Sequence, residues 1–256
     1  MALARAALES LLRARQLDRT LTTALPPVDP RDDAALAPSG VASLDARLGG
    51  GFPRGQLSEI VGPRSSGRTS LLLQLAAAAT ARGELVGLVD ELDGLDVESA
   101  AAAGVDLARL LWIRGHVVSN PGLCGDLNQR ALEQAIRAFT LVLQAGNFGL
   151  VVLDVAEAPS AALRRLPFTT WLRLQRMVEG SQTACVLIGS QPMARSSAGL
   201  TLQLGTQELG IRSGFGVRFG DSLFDGLNVH ARIVRARTRE HEDASVRFAT
   251  IAADCA

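Results

Sequence analysis

Short apolar runs recur along the chain, with longer helically patterned stretches between them. Leu85–Val89, Leu110–Ile113, Leu150–Leu153 and Ala184–Ile188 are too short for helices and lack the alternation of a half-solvated strand. They predict strands buried on both faces. An earlier strand is expected at about Leu57–Val61, and helices near 69–81, 96–103, 127–144 and 168–179. The longest helix sets Leu132, Ala135, Ile136, Phe139 and Leu143 on one face, at the three- and four-residue spacing of an amphipathic helix. In 69–81 the inward residues are Leu71, Leu72, Leu75 and Ala76. This alternation predicts an α/β fold: a mostly parallel central sheet with helices on both sides. From about Leu200 the pattern becomes alternating polar and apolar, with no clear helix. Val229, Ala231, Ile233 and Arg235, then Val246, Phe248 and Ile251, predict antiparallel strands joined by a charged turn at Arg239–Asp243.

The N-terminal pattern differs. Within residues 2–22, Leu3, Ala7, Leu8, Leu11 and Leu12 form an apolar stripe, with Arg5, Arg13 and Arg15 around it, so an amphipathic helix is expected over 1–25. The Pro- and Asp-rich stretch 26–38 reads as a linker, and 39–256 as the core domain. A detached helix cannot bury its stripe alone. Leu3, Leu8, Leu11 and Leu12 are therefore candidate docking residues, for the chain's own domain, a second copy or a partner.

The segment joining the first strand to its helix carries the chemistry. Gly62-Pro63-Arg64-Ser65-Ser66-Gly67-Arg68-Thr69 follows the phosphate-binding pattern G-x-x-x-x-G-K-[ST], except that arginine stands at the lysine position. In that pattern backbone N–H groups cradle phosphates, the lysine reaches the terminal ones and the hydroxyl binds Mg²⁺. No lysine occurs anywhere in the 256 residues, so no other lysine of the chain can reach in. Arg68 keeps the charge on a longer, planar head.

Composition narrows the reading. The chain is 47% hydrophobic and 20% charged, an ordinary globular balance, and long enough for one sizeable domain with small appendages. Its 26 basic and 26 acidic residues cancel, so any basic surface must be local. Cys124, Cys185 and Cys255 form no ligand pattern, and His116, His230 and His241 are dispersed. The acidic run Asp90–Asp96 lacks the spacing of a calcium loop. With no signal-peptide pattern and no long apolar run, a cytoplasmic protein is expected.

From Ser39 to Leu75 the chain resembles the RecA core: a Ser-Gly…Leu-Asp lead-in at Ser39-Gly40…Leu44-Asp45, a Gly-rich turn at Gly49–Gly51, a strand, and the loop. The likeness continues through Leu88-Val89-Asp90, Gly104-Val105-Asp106 and Val151-Val152-Leu153-Asp154 to Leu187–Gln191, about two thirds of the chain. The resemblance implies a RecA-like fold. It makes Gly62, Ser65, Ser66, Gly67, Arg68 and Thr69 the nucleotide cradle, and Asp154 the aspartate that holds the metal's water shell. Gln191 falls where a glutamine senses the terminal phosphate. Arg235 and Arg237 fall near lysines that reach a neighbouring subunit's nucleotide, although a solvated strand edge accounts for them equally.

The departures are as informative. The catalytic glutamate of the family falls on Leu92, which cannot orient water, with Glu91 and Asp93 on either side; on a strand end their side chains would point away from the site. The adenine-stacking position falls on Ser99. The two DNA-binding loops correspond to Ala156–Pro167 and Pro192–Gly205, where Arg164, Arg165 and Arg195 supply charge but Phe168 is the one aromatic, at the edge.

Such a short RecA-like chain, with a degenerate site and a helical N-terminus, resembles the ImuA family, RecA-like components of the bacterial mutasome. That implies a non-catalytic accessory protein of DNA-damage tolerance. The implied partners are RecA, an inactive Y-family-like polymerase subunit and, indirectly, an error-prone replicative-type polymerase, with self-association possible in principle and direct DNA binding weak or absent. No cofactor is then required, and ATP with Mg²⁺ on Thr69 and Asp154 is expected to bind weakly at most. The alternatives are a RecA-type DNA-binding ATPase with a variant loop, or a SulA-like division inhibitor, for which no residue speaks.

Overall fold

In the computed structural model, residues 36–115, 125–205, 217–218, 226–236 and 244–249 are described. The apolar runs become the centre of the sheet because strands buried on both faces can present side chains to two helical layers at once. The strands are β1 (Leu36–Ala37), β2 (Phe52–Pro53), β3 (Leu57–Val61), β4 (Val86–Asp90), β5 (Leu110–Arg114), β6 (Leu150–Asp154), β7 (Ala184–Gly189), β8 (Ala198–Gly205), β9 (Val217–Arg218), β10 (Gly226–Ala236) and β11 (Ser245–Ala249). The helices are α1 (Ala42–Leu48), α2 (Arg68–Ala81), α3 (Val97–Ala102), α4 (Gly125–Ala145), α5 (Ser160–Arg165) and α6 (Phe168–Val178).

The main sheet runs β11-β10-β8-β3-β7-β6-β4-β5, with β9 pairing β10. Its six strands from β8 to β5 are parallel, and β10 adds to β8 in the antiparallel sense, with β11 antiparallel on β10. This is the α/β architecture expected, with the antiparallel C-terminal strands in place.

Successive residues of each strand feed opposite cores, the period-two consequence of the pleat. Val86, Leu88, Val152, Val186 and Ile188 pack with α2 and α1 on one side. Val89, Val151, Leu153, Cys185 and Leu187 pack with α4 and α6 on the other. The stripe expected on the longest helix is its buried face: Leu132, Ala135, Ile136, Phe139 and Leu143.

Three features depart from the sequence reading. Leu36–Ala37, at the end of the stretch read as linker, pairs with Phe52–Pro53. The intervening glycines permit it: a Cβ on Gly51, at φ 136°, would lie 2.2 Å from the Ala37 carbonyl oxygen. Residues 160–165, inside the first candidate DNA loop, form α5. Most of the second candidate loop is no loop at all: Ala198–Gly205 is β8, parallel to β3 and buried along nearly its whole length. Its apolar run seats it in the middle of the sheet, which leaves only Pro192–Ser197 as connection. The N-terminal residues Leu3, Leu8, Leu11 and Leu12, the expected turn Arg239–Asp243 and Arg237 lie outside the described residues.

Candidate functional site

Parallel strands bring their C-terminal ends to one edge, and the candidate site is built there. Val61 lies beside Gly189, Asp90 beside Asp154, and Asp154 beside Ile188. The loop Gly62–Gly67 leaves β3 at this edge, with the Gly62 N–H donating to the Gly189 carbonyl at 3.2 Å. Ser65 and Gly67 adopt left-handed backbone, φ 58° and 90°. At Gly67 a Cβ would lie 2.5 Å from a Val229 methyl, so the loop is seated directly on β10 and only glycine fits. Ser66 is buried within the loop, while Arg64 and Ser65 are exposed.

A cleft of about 120 Å³ opens beside the loop, lined by Arg68 and Thr69 of α2, Asp154 at the end of β6, and Asp90, Glu91 and Leu92 at the end of β4. The sequence-predicted pair Thr69 and Asp154 is therefore brought together. Their oxygens suit Mg²⁺, and they are the residues that would hold it with a nucleotide. Among the described residues, no group of three His, Cys, Asp or Glu side chains is arranged to bind a metal ion without one.

Leu92 lines the cleft as expected, and so does Glu91. Strand alternation predicted that these neighbours would point apart, but β4 ends at Asp90 and both residues lie in the turn beyond it, where the pleat no longer applies. The turn is braced. Asp93, at φ 57°, receives both Nε and Nη2 of Arg114 at 2.6 Å, and the Arg114 guanidinium stacks 4.7 Å over Trp112. Trp112 and the Leu95 N–H both donate to Asp90 Oδ2, at 3.2 and 2.9 Å. Glu91 is buried, and its Oε2 makes no hydrogen bond. Burial, reinforced by the charges of Asp154 and Asp90, raises its pKa to about 7. Asp154 rises to about 6 by burial, with Asp90 adding to the shift and the Ala156 N–H and Arg68 opposing it.

Arg68 is 7% exposed; its Nη2 lies 3.3 Å from Glu157 Oε1 and its Nη1 has no hydrogen-bond partner. Arg64 also holds Glu157, through Nε at 2.7 Å and through Nη2, both on Oε2. Both arginines of the phosphate loop thus converge on one carboxylate three residues beyond Asp154. Sequence reasoning missed Glu157; acidity so close to Asp154 was the available signal.

The remaining candidates are scattered. Gln191 is exposed just past β7, and Ser99 lies in the first turn of α3, where its N–H and hydroxyl both donate to the N-cap Asp96. Arg164, Arg165 and Arg195 are exposed and separate from the cleft lining. Arg235 donates through Nη1 to the Arg195 carbonyl at 2.6 Å, an engagement within the chain. Also unforeseen is Glu59, fully buried on β3: Oε1 accepts the Met193 and Ala194 N–H groups, each at 2.7 Å, and Oε2 accepts the Thr201 hydroxyl at 3.0 Å.

A phosphate loop after the first central strand, an aspartate ending β6 and this strand order coincide with a family match: the RecA N-terminal domain, over residues 27–164, more than half of the chain. The chain belongs to the RecA family. Protein RecA of Clavibacter michiganensis subsp. michiganensis is 39% identical over 131 residues, 51% of this chain and 32% of that protein. Protein RecA of Acholeplasma laidlawii is 38% identical over 122 residues, 47% of this chain and 33% of that protein. The matches therefore span about a third of the length of these RecA relatives. A crystal structure of the RadB recombinase superposes with a TM-score of 0.55 at 20% identity, covering 84% of this chain and 96% of that one, which establishes the fold alone. In this chain Arg68, Glu91, Leu92 and Glu157 meet at one cleft.

Proposed function

We propose that this RecA-family chain is a non-catalytic accessory protein of DNA-damage tolerance, of the ImuA kind. It acts through protein contacts with RecA, a mutasome polymerase subunit or a second copy, in the cytoplasm. The observation that carries the reading is the state of the phosphate loop: both of its arginines pair with Glu157, which stands where a phosphate would have to enter. Around them Asp90, Glu91 and Asp154 crowd the cleft with carboxylates. A nucleotide polyphosphate entering there meets like charge in a partly desolvated space, which costs far more than it would in water. Leucine at position 92, where the resemblance puts the water-activating glutamate, removes the base that turnover needs.

The decisive measurement is steady-state ATP hydrolysis by the purified chain with Mg²⁺, with and without single-stranded DNA. No turnover above the buffer rate is expected, and stimulation by DNA would overturn the reading. Deleting residues 1–25 is expected to abolish capture of RecA or of a second copy; undiminished capture removes the docking role of Leu3, Leu8, Leu11 and Leu12.

One observation favours the alternative, a RecA-type ATPase. Glu91 is a carboxylate in the cleft with a pKa raised to about 7, the range suited to a general base. That reading predicts measurable hydrolysis lost in both Glu91→Gln and Asp154→Asn. A SulA-like role has no support in the site.

A further inference from the structure

We propose that Glu157 is a built-in anion of the phosphate loop: its carboxylate occupies the two loop arginines, and a polyphosphate binds only by displacing it. The inference rests on reading Gly62–Thr69 as a phosphate-binding loop, and it goes further by naming the residue that sets its affinity.

The geometry is that of a bridging ligand. One carboxylate oxygen takes Arg64, through Nε at 2.7 Å and through Nη2, and the other takes Arg68 Nη2 at 3.3 Å. Guanidinium recognises carboxylate and phosphate by the same planar fork, so the two anions compete for the same N–H groups. The arginine at position 68 is what makes this possible. Its head reaches from the first turn of α2 to the segment beyond β6, giving Glu157 one N–H and leaving Nη1 as a second donor that a compact ammonium would not present in the same plane.

The contact is a removable plug rather than a structural pin. The Arg64 side chain is 83% exposed and that of Glu157 is 37% exposed, so their pairing is screened by water and salt. Glu157 sits in the short connection between β6 and α5, held by the Ala158 N–H on the Val155 carbonyl at 3.1 Å. Swinging its side chain outward breaks no backbone hydrogen bond. Arg68 stays buried beneath, and its unpartnered Nη1 is the group a phosphate oxygen would gain. The charge balance agrees: Glu157 in place offsets one of the two guanidinium charges, and with it gone neither Arg64 nor Arg68 keeps that carboxylate partner.

The test is calorimetric titration of pyrophosphate, and separately of ATP with Mg²⁺, into the wild-type chain, Glu157→Gln, Glu157→Ala and the double variant Arg68→Ala/Glu157→Gln. Glu157→Gln keeps the size of the side chain while removing its charge and one of its two acceptor oxygens, and Glu157→Ala removes the group altogether; matched thermal transitions check that both variants fold. Affinity for both ligands is expected to rise by up to about five-fold in Glu157→Gln and Glu157→Ala, a change of the size a partly exposed ion pair supports. The gain should vanish in the double variant. Affinity in Glu157→Gln no higher than in the wild type overturns the proposal, as does a gain that survives loss of Arg68. Hydrolysis by the wild-type chain, a separate readout, would overturn the non-catalytic function while leaving the role of Glu157 to be decided by these affinities.

Discussion

Glu91 and Asp154 both hold protons more tightly in the fold than in the open chain, with pKa values raised to about 7 and about 6 from ordinary values of 4.5 and 3.8. The sign follows from linkage. Where the folded state binds more protons than the unfolded one, stability falls as pH rises. The contribution of these two groups is therefore fully present below about pH 4 and is lost between there and about pH 7. Thermal unfolding followed from pH 5 to pH 8 is expected to show that decline. Glu91→Gln, which stays neutral throughout, should flatten it; an unchanged slope would mean that Glu91 does not carry the effect. At this scale the loop and Thr69 were legible from residue types at fixed spacing and Asp154 from the resemblance, and the structure puts Thr69 and Asp154 on one cleft. The sequence did not reveal that Glu91 shares the cleft with Leu92, since that depends on β4 ending at Asp90 and leaving both residues in the turn beyond it.

Individual elements are tied together by Glu59 more than by any other polar side chain described above. From β3 it bonds the turn after β7 through the Met193 and Ala194 N–H groups, and β8 through Thr201. Removing the carboxylate leaves buried donors without partners, each costing about 1–3 kcal/mol. Glu59→Ala is thus expected to lower the unfolding free energy in urea by about 3 kcal/mol or more, and Thr201→Val by about 1 kcal/mol. A loss in Glu59→Ala no greater than in Thr201→Val would show that the backbone donors find other partners. The turn held in this way carries Arg195, whose carbonyl accepts from Arg235, so the post-β7 connection is anchored at three successive residues. Local pattern gave most helices and strands to within two residues, whereas the resemblance placed a loop over Ala198–Gly205, which is β8. Alternation says that a segment is extended; it does not say that the vacancy beside β3 is the place that takes it.

Across the whole molecule, the C-terminal strands extend the sheet beyond β8 and pack directly on the phosphate-loop motif. Val229 of β10 seats Gly67, and Ile233 stands opposite Leu202 of β8 with both side chains in the core shared with α2. Ile233→Ala and Leu202→Ala are each expected to cost about 2–5 kcal/mol in urea unfolding. Because the two residues are register partners, the double variant should depart from additivity by at least about 0.5 kcal/mol. Strict additivity would indicate that β10 packs independently of β8. The sequence by itself determined the α/β class, the parallel core and the phosphate loop, since these follow from burial periodicity and from local spacing. Only the tertiary structure decided which carboxylates meet the loop arginines, which strand fills the gap beside β3 and which glycine must yield to Val229. Those outcomes depend on contacts between residues far apart in the chain, which no local pattern encodes.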